Sequence, residues 1–328
     1  MATTYVRLPV DERNFKGHDP RGRPSEIRDA ADDPLNDRWR HAKSYERQAV
    51  VLSVDALTDT GTFAVTFEVV DGQSFQYLPG QFIGIEADVA GVRRRRTPYC
   101  VLWASEDETA FTLLIRVTPD GPLSQYITGL APGDIVEFRS ATGRTMIPKE
   151  DDTDLVLVAT GVGVSPLYSL ASYLLDEEGT SRHITLLWGL RLSDDICLQP
   201  ALDDLAARHA NFEYHISLSQ PDDTWSGLRG RVTETAPEVI GSLERTHFIL
   251  CGNGAMINEL GPALRLAGVK EWLVYEEPFF NTRVKADTGD ILALRDRLTG
   301  GHIDSPVLAG RGELFVLERP IIPRRLAS

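Results

Sequence analysis

Hydrophobic patterning changes character once along this chain, and that change limits the available folds more than any other feature. Up to Lys149, short runs of strand type (RQAVVLSV, TFAVTFEVV, QFIGIEA, FTLLIRV, DIVEFRS) are separated by turn signals at Leu78-Pro79-Gly80, Asp120-Gly121-Pro122 and Ala131-Pro132-Gly133-Asp134. Strands at this spacing, with Pro-Gly turns and few helical patterns, predict a small antiparallel barrel or sandwich. From Asp154 the apolar runs LVLVAT, ITLLWGL, EYHISLS, THFILCG and WLVYEE are interleaved with amphipathic stretches such as SPLYSLASYLLDEEG, LQPALDDLAARHA and AMINELGPALRLAG. Apolar runs alternating with helical segments predict a parallel sheet covered on both faces. The expected class is therefore β followed by α/β, with the boundary near residues 149–153.

Four segments follow from this reading. Residues 1–45, rich in Asp, Arg, Pro and Gly without periodicity, form an arm or disordered leader. Residues 46–150 make the barrel and 151–280 the parallel-sheet domain. Residues 281–328 form a C-terminal extension with one helical stretch, DILALRDRL, followed by GELFVLERPIIP. A chain of 328 residues, 42% hydrophobic and 25% charged, is long enough for two separate cores.

Composition narrows the function. The net charge of −14 argues against a nucleic-acid partner, because phosphate contact needs a basic face. No apolar run is long enough to cross a bilayer, and MATTYVRLPVDERNF lacks the apolar stretch of a signal peptide. Three widely spaced cysteines, Cys100, Cys197 and Cys251, argue for a reducing compartment, here the cytoplasm, and against a built-in iron–sulfur cluster. The seven histidines show no metal-ligand spacing, so no metal site is expected. One basic run, Arg93 to Arg96, interrupts the acidic chain. It reads either as a solvated strand edge or as a patch for a pyrophosphate or an acidic protein partner.

The strand–turn–helix LVLVATGVGVSPLYSL carries the strongest chemical signal. Gly161 and Gly163 let the backbone turn sharply at the end of a buried strand and approach a phosphate. Pro166 stands in the first turn of the helix, where its missing N–H costs nothing. The exposed amides and positive dipole end then form an anion site. No acidic residue closes the second strand, where a ribose-binding carboxylate is usual; Arg191 stands there and suits a 2′-phosphate, with Asp194 and Asp195 beside it weakening such a site. A later strand ends in Cys251-Gly252-Asn253-Gly254, at the edge where ligands of open α/β sheets bind.

Six motifs in one order, PGQF (79–82), RTPYC (96–100), DGPLS (120–124), LAPGD, ATGVGVSP and CGNGAM, closely resemble the ferredoxin–NADP(+) reductase family over roughly residues 45–280. The acidic–aromatic end Tyr275 to Phe280 is similar to that of the bacterial-type branch. The resemblance implies that the barrel binds FAD and the sheet domain NADPH, with NADH also possible. It implies a flavin laid along Pro98, Tyr99, Cys100 and Val101, with Ile115 and Val117 on the next strand. Cys100 takes the place of the hydroxyl that the family sets near flavin N5, and a thiol is a weaker donor. The family's arginine position holds Thr97, so Arg96, one step off, or Arg95 is expected to reach the pyrophosphate. Gly121, Pro122, Leu123 and Ser124 match the flavin-diphosphate turn.

In the second domain, the resemblance implies that Thr160, Gly161, Gly163 and Pro166 bind the nicotinamide pyrophosphate. Arg191 and Arg231 match 2′-phosphate arginines, Gln220 fills a third, usually basic, position, and Gly252 and Cys251 face the nicotinamide. Glu277 matches an acidic residue implicated in proton relay, and Phe280 is expected to cover the flavin or its adenine. The activity implied is electron transfer between NAD(P)H and a ferredoxin or flavodoxin. Two rivals stand beside it: the NADH-driven reductase component of an oxygenase system, and an electron-transfer subunit locked in a larger complex. Oligomeric state is left open.

Overall fold

A computed structural model describes residues 46–89, 91–149 and 153–300. The arm at 1–45 and the stretch GELFVLERPIIP lie outside the described residues.

Six strands close the first domain: β1 (Glu46–Thr58), β2 (Thr62–Val69), β3 (Phe82–Val89), β4 (Val92–Ala104), β5 (Ala110–Arg116) and β6 (Ile135–Thr142). They pair antiparallel around a barrel in the order β1-β2-β5-β4-β3-β6. Alternation along β2 shows why: Val65, Phe67 and Val69 are buried inside, while Glu68 faces solvent. Phe67 stacks on Phe111 with ring centroids 5.2 Å apart, and Phe75 and Phe138 complete the aromatic centre. A short helix, α1 (Pro122–Thr128), follows β5 and covers the barrel through Leu123 and Ile127.

The second domain is a six-stranded sheet in the order β10-β9-β8-β7-β11-β12. Its strands are β7 (Asp154–Thr160), β8 (Ile184–Leu190), β9 (Phe212–Leu218), β10 (Leu228–Arg229), β11 (Thr246–Asn253) and β12 (Val274–Phe280), all paired parallel. Solid apolar runs were needed because both faces are covered. From β7, Leu155, Leu157 and Ala159 enter one core with α2 (Val164–Ser172) and α3 (Gln199–Arg208), while Val156 and Val158 enter the other with α4 (Val232–Val239) and α5 (Gly254–Leu266).

The first core also takes in Leu78, Leu102, Leu114, Met146 and Ile147 from the barrel side. The two domains therefore share one apolar seam, with α2 packed against β4. Tyr77 strengthens it: its buried hydroxyl donates to the Val101 carbonyl at 2.8 Å and is hydrogen-bonded to Ser169 of α2.

Two features depart from the sequence-based expectation. Helix α4 and the two-residue β10 were not anticipated, because TETAPEV is polar and carries Pro237. Helix α6 (Thr288–Leu298), within the segment assigned to a C-terminal extension, packs Ile291 and Leu294 into the second core against α4 and α5. The arginine run is paired on one side only: β4 meets β3 through Ala87–Arg95 and Glu86–Arg96, whereas its register with β5 begins at Val101.

Candidate active site

Strand order places a ligand site before any side chain is considered. From central β7 the chain steps outward to β8, β9 and β10, then returns to the other side for β11 and β12. The carboxyl ends of β7 and β11 thus flank a topological switch point, where open α/β sheets bind ligands. A cleft of about 970 Å³ opens there against the barrel. The barrel lines it with Pro98, Tyr99 and Cys100 of β4, Ile115 of β5, and Gly121 to Ser124; the sheet domain contributes Thr160, Gly161, Arg191, Arg231, Glu277 and Phe280.

Other expected residues stand behind or away from this wall. Val101 is fully buried in the barrel core, and Val117 does not line the cleft. The Arg96 guanidinium lies 3.5 Å from the buried Glu86 carboxylate, which Arg139 also approaches at 2.9 Å. Thr97 lines the cleft, and Arg96 does not. Gly163, Pro166, Cys251 and Gly252 form the second layer, beneath the sheet-side surface.

On the barrel side, the turn before α1 is shaped for close approach. Ser124 Oγ donates to the Gly121 carbonyl at 2.7 Å, and a Cβ at Gly121 would stand 2.6 Å from that hydroxyl. No side chain caps the first amides of α1, which leaves them free for an anionic group. The thiol of Cys100 is pushed up in pKa by burial and, secondarily, by the charge of Glu277, so it is a neutral thiol at physiological pH.

On the sheet side, the glycine turn is fixed from several directions. Trp188 Nε1 donates to the Gly161 carbonyl at 2.9 Å. The Asn253 amide donates to Thr160 Oγ1 at 2.7 Å, joining the ends of β7 and β11, and Asn253 caps α5 through the Ala255 amide at 3.0 Å. Gly163 lies so close to β11 that a Cβ would be 2.5 Å from the Cys251 carbonyl oxygen. No side chain caps the glycine turn or α2, which suits the start of that helix to an anion.

Cys100 and Glu277 line the cleft, and Cys251 lies buried behind them. Glu277 pairs in register with Cys251 across β12 and β11 and accepts a hydrogen bond from the Tyr275 hydroxyl at 3.2 Å. Burial raises the pKa of the Cys251 thiol, and Cys100 and Glu277 raise it further, which puts all three groups within electrostatic reach. Ser165 Oγ donates a long bond of 3.5 Å to the Cys100 carbonyl, bridging α2 and β4.

At the end of the cleft beyond β8, Arg191 Nε donates to Gln220 Oε1 at 2.9 Å. Arg231 instead faces two carboxylates, Glu234 at 3.4 Å and Glu259 at 3.3 Å. Two further residues line the cleft: Arg116, which sequence reasoning missed, and Asp195, read from sequence only as a charge weakening a phosphate site at Arg191. The available signal was their position at strand ends, Arg116 closing β5 and Asp195 five residues beyond β8. Rather than standing beside Arg191 as a repulsive charge, Asp195 pairs with Arg116 at 3.1 Å.

These residues fit a dinucleotide flavin and a nicotinamide dinucleotide: two uncapped turns suit two pyrophosphates, with an aromatic and a thiol between them. Among the described residues there is no group of three or more His, Cys, Asp or Glu arranged for a metal. No described helix is long and apolar enough to cross a membrane.

Comparison with known proteins agrees with this geometry. The oxidoreductase FAD-binding domain family matches residues 51–147, and the oxidoreductase NAD-binding domain family matches residues 157–260. A ferredoxin–NADP reductase B of Sorangium cellulosum is 28% identical over 200 residues, which are 59% of this chain and 81% of that protein. The toluate 1,2-dioxygenase electron transfer component of Pseudomonas putida is 27% identical over 234 residues, 71% of this chain and 67% of the relative. An Amycolatopsis cytochrome P450 reductase of known structure is 23% identical and shares the fold, with a TM-score of 0.65 over 73% of this chain and 72% of that chain. With both domain families matched in series over more than half of its length, the chain belongs to the ferredoxin–NADP(+) reductase family of flavin oxidoreductases.

Proposed function

We propose that this chain takes reducing equivalents from NAD(P)H on its FAD and delivers them singly to a protein carrier, a ferredoxin or flavodoxin. The observation that carries this reading is the single cleft, walled on one side by Tyr99, Cys100 and the turn at Gly121 and on the other by Gly161, Arg191 and Glu277. FAD and NAD(P)H are the cofactors of the two domains, and together they supply hydride acceptance and one-electron release.

The chain's own part is geometry and electrostatics. Thr160 to Gly163 and the start of α2 hold the nucleotide diphosphate, and Gly121 to Ser124 hold that of the flavin. Tyr99 and Cys100 form the wall against which the flavin ring lies. Neutral Cys100 donates a weak hydrogen bond and adds no charge there. Glu277, oriented by Tyr275, holds a proton acceptor at the floor. Phe280, 46% exposed at the cleft mouth, shields the site where a carrier would approach.

Arg191 supports NADPH, since it is hydrogen-bonded to the neutral Gln220 rather than paired with a carboxylate. The carboxylates on Arg231 support NADH, because they oppose a 2′-phosphate. The longer match to a dioxygenase electron transfer component favours, as a second reading, the NADH-driven reductase of an oxygenase system. Either reading suits a cytoplasmic protein. Anaerobic titration of the FAD-loaded chain with NADPH and NADH in parallel, following flavin absorbance, tests both. Bleaching by NADPH first supports the ferredoxin-linked reading, bleaching by NADH first supports the oxygenase reading, and bleaching by neither refutes both.

A further inference from the structure

At the outer end of the cleft, one carboxylate joins the two domains. Asp195, 8% exposed, ends the helical turn Ser193–Asp195 that follows β8 and Arg191. Its Oδ1 accepts from Thr60 Oγ1 at 2.6 Å and from Arg116 Nη1 at 3.1 Å. Its Oδ2 accepts from the Leu192 amide of its own turn at 3.1 Å. Arg116 Nη1 also donates to the hydroxyls of Thr60 and Thr62, at 2.9 and 3.1 Å. The carboxylate is thus gripped by the β1–β2 turn and by the end of β5 together.

The two strands joined here lead straight to the two binding walls. Beyond Arg116, the chain enters the turn at Gly121; before Asp195, β8 delivers Arg191. The inner end of the interface is held by apolar packing and by Tyr77 on Ser169. The outer end is held by this polar cluster. Burial works against the charge of Asp195, yet hydrogen bonds from Thr60, the Leu192 amide and Arg116 outweigh it and keep its pKa below the ordinary carboxylate value. With the Arg116 side chain 38% exposed, the ion pair is screened and adds little to global stability. Its consequence lies in registration of the walls, where a misplacement of about 1 Å costs up to about a hundredfold in rate.

We propose that Asp195 is a positioning residue, tethered by Arg116 and Thr60, that sets the spacing of the flavin and nucleotide walls and thereby the rate at which NAD(P)H reduces the flavin. This rests on the reading given under Proposed function.

Asp195→Asn in the FAD-loaded full chain is the test, since it keeps the shape but removes the charge and sets an NH2 group against a donor, the Leu192 amide or the Thr60–Arg116 pair. At saturating nucleotide, flavin bleaching in stopped flow is expected to slow about tenfold or more, with FAD content and melting temperature unchanged. Thr60→Val, which removes one donor, should slow it less. Added salt should slow the wild type but leave Asp195→Asn unaffected. In the same variant, amide hydrogen exchange of residues 58–62 and 192–196 should quicken, a readout independent of turnover. Wild-type bleaching rate in Asp195→Asn, or a loss matched by loss of FAD or of melting temperature, overturns the proposal. If neither nucleotide bleaches the wild-type flavin, the functional reading itself has failed, and the exchange data identify that case because they still report the tether.

Discussion

Gly163→Ala adds one carbon where the glycine turn leans on β11. The backbone of Gly163 is helical, with φ −62° and ψ −13°, so alanine meets no conformational penalty there. The obstacle is steric. The new Cβ would lie 2.5 Å from the Cys251 carbonyl oxygen, 2.8 Å from its carbonyl carbon and 2.8 Å from Gly252 Cα. All three are backbone atoms of a central strand, so no side chain can swing away. A carbon normally stands about 3.3 Å or more from a carbonyl oxygen, so the turn must move out by roughly 1 Å. Overpacking of this kind costs about 1–3 kcal/mol, a fall in melting temperature of about 1.5–4.5 °C at this chain length. On the proposed binding role of this turn, the same displacement would carry the α2 amides off the nucleotide diphosphate, and KM for the nucleotide should rise by about ten- to a hundredfold. Gly241→Ala is the control: its Cβ meets nothing within 4 Å, and the change should stay within about 0.5 kcal/mol. Thermal unfolding and steady-state ferricyanide reduction of both variants check this. An unchanged melting temperature in Gly163→Ala would refute the steric reasoning. A lowered melting temperature with unchanged KM would show that the turn does not hold the nucleotide.

Denatured protein should release FAD rather than FMN, since the cleft offers two uncapped turns; chromatography of the released flavin checks this. Arg191→Ala should raise KM for NADPH far more than for NADH, because a charge-assisted phosphate contact contributes about 1.5–3 kcal/mol, roughly ten- to a hundredfold; equal effects would remove Arg191 from 2′-phosphate recognition. Burial raises the Cys197 thiol from 9.0 to about 11, so the unfolded chain loses that proton first. The thiol's contribution to stability is complete below about pH 9 and declines as pH rises toward 11, and iodoacetamide labelling of the native protein should accelerate over the same window. Cys251, with no exposed surface, should be labelled last.

Much of this protein is legible without coordinates because its information is local. Alternation in TFAVTFEVV marks a strand with one wet face, and LVLVAT marks a strand covered on both, so the order of barrel and parallel sheet can be read directly. The glycine turn, Arg191, Tyr99, Cys100 and Glu277 were likewise recognisable by type and by place in the motif order, and the fold brings them to one cleft. Only the tertiary structure decided what depends on contacts across long stretches of chain. It turned Arg96 outward onto Glu86, although the basic run looks like an anion site in one dimension. It buried Ile291 and Leu294 of α6 against α4 and α5, because those two helices leave apolar surface that no local pattern announces. It also joined Thr60, Arg116 and Asp195, whose separations of 79 and 135 residues carry no periodicity to detect. Periodicity reports which face of an element is dry, whereas the partner of a charge is chosen by the packing of whole domains.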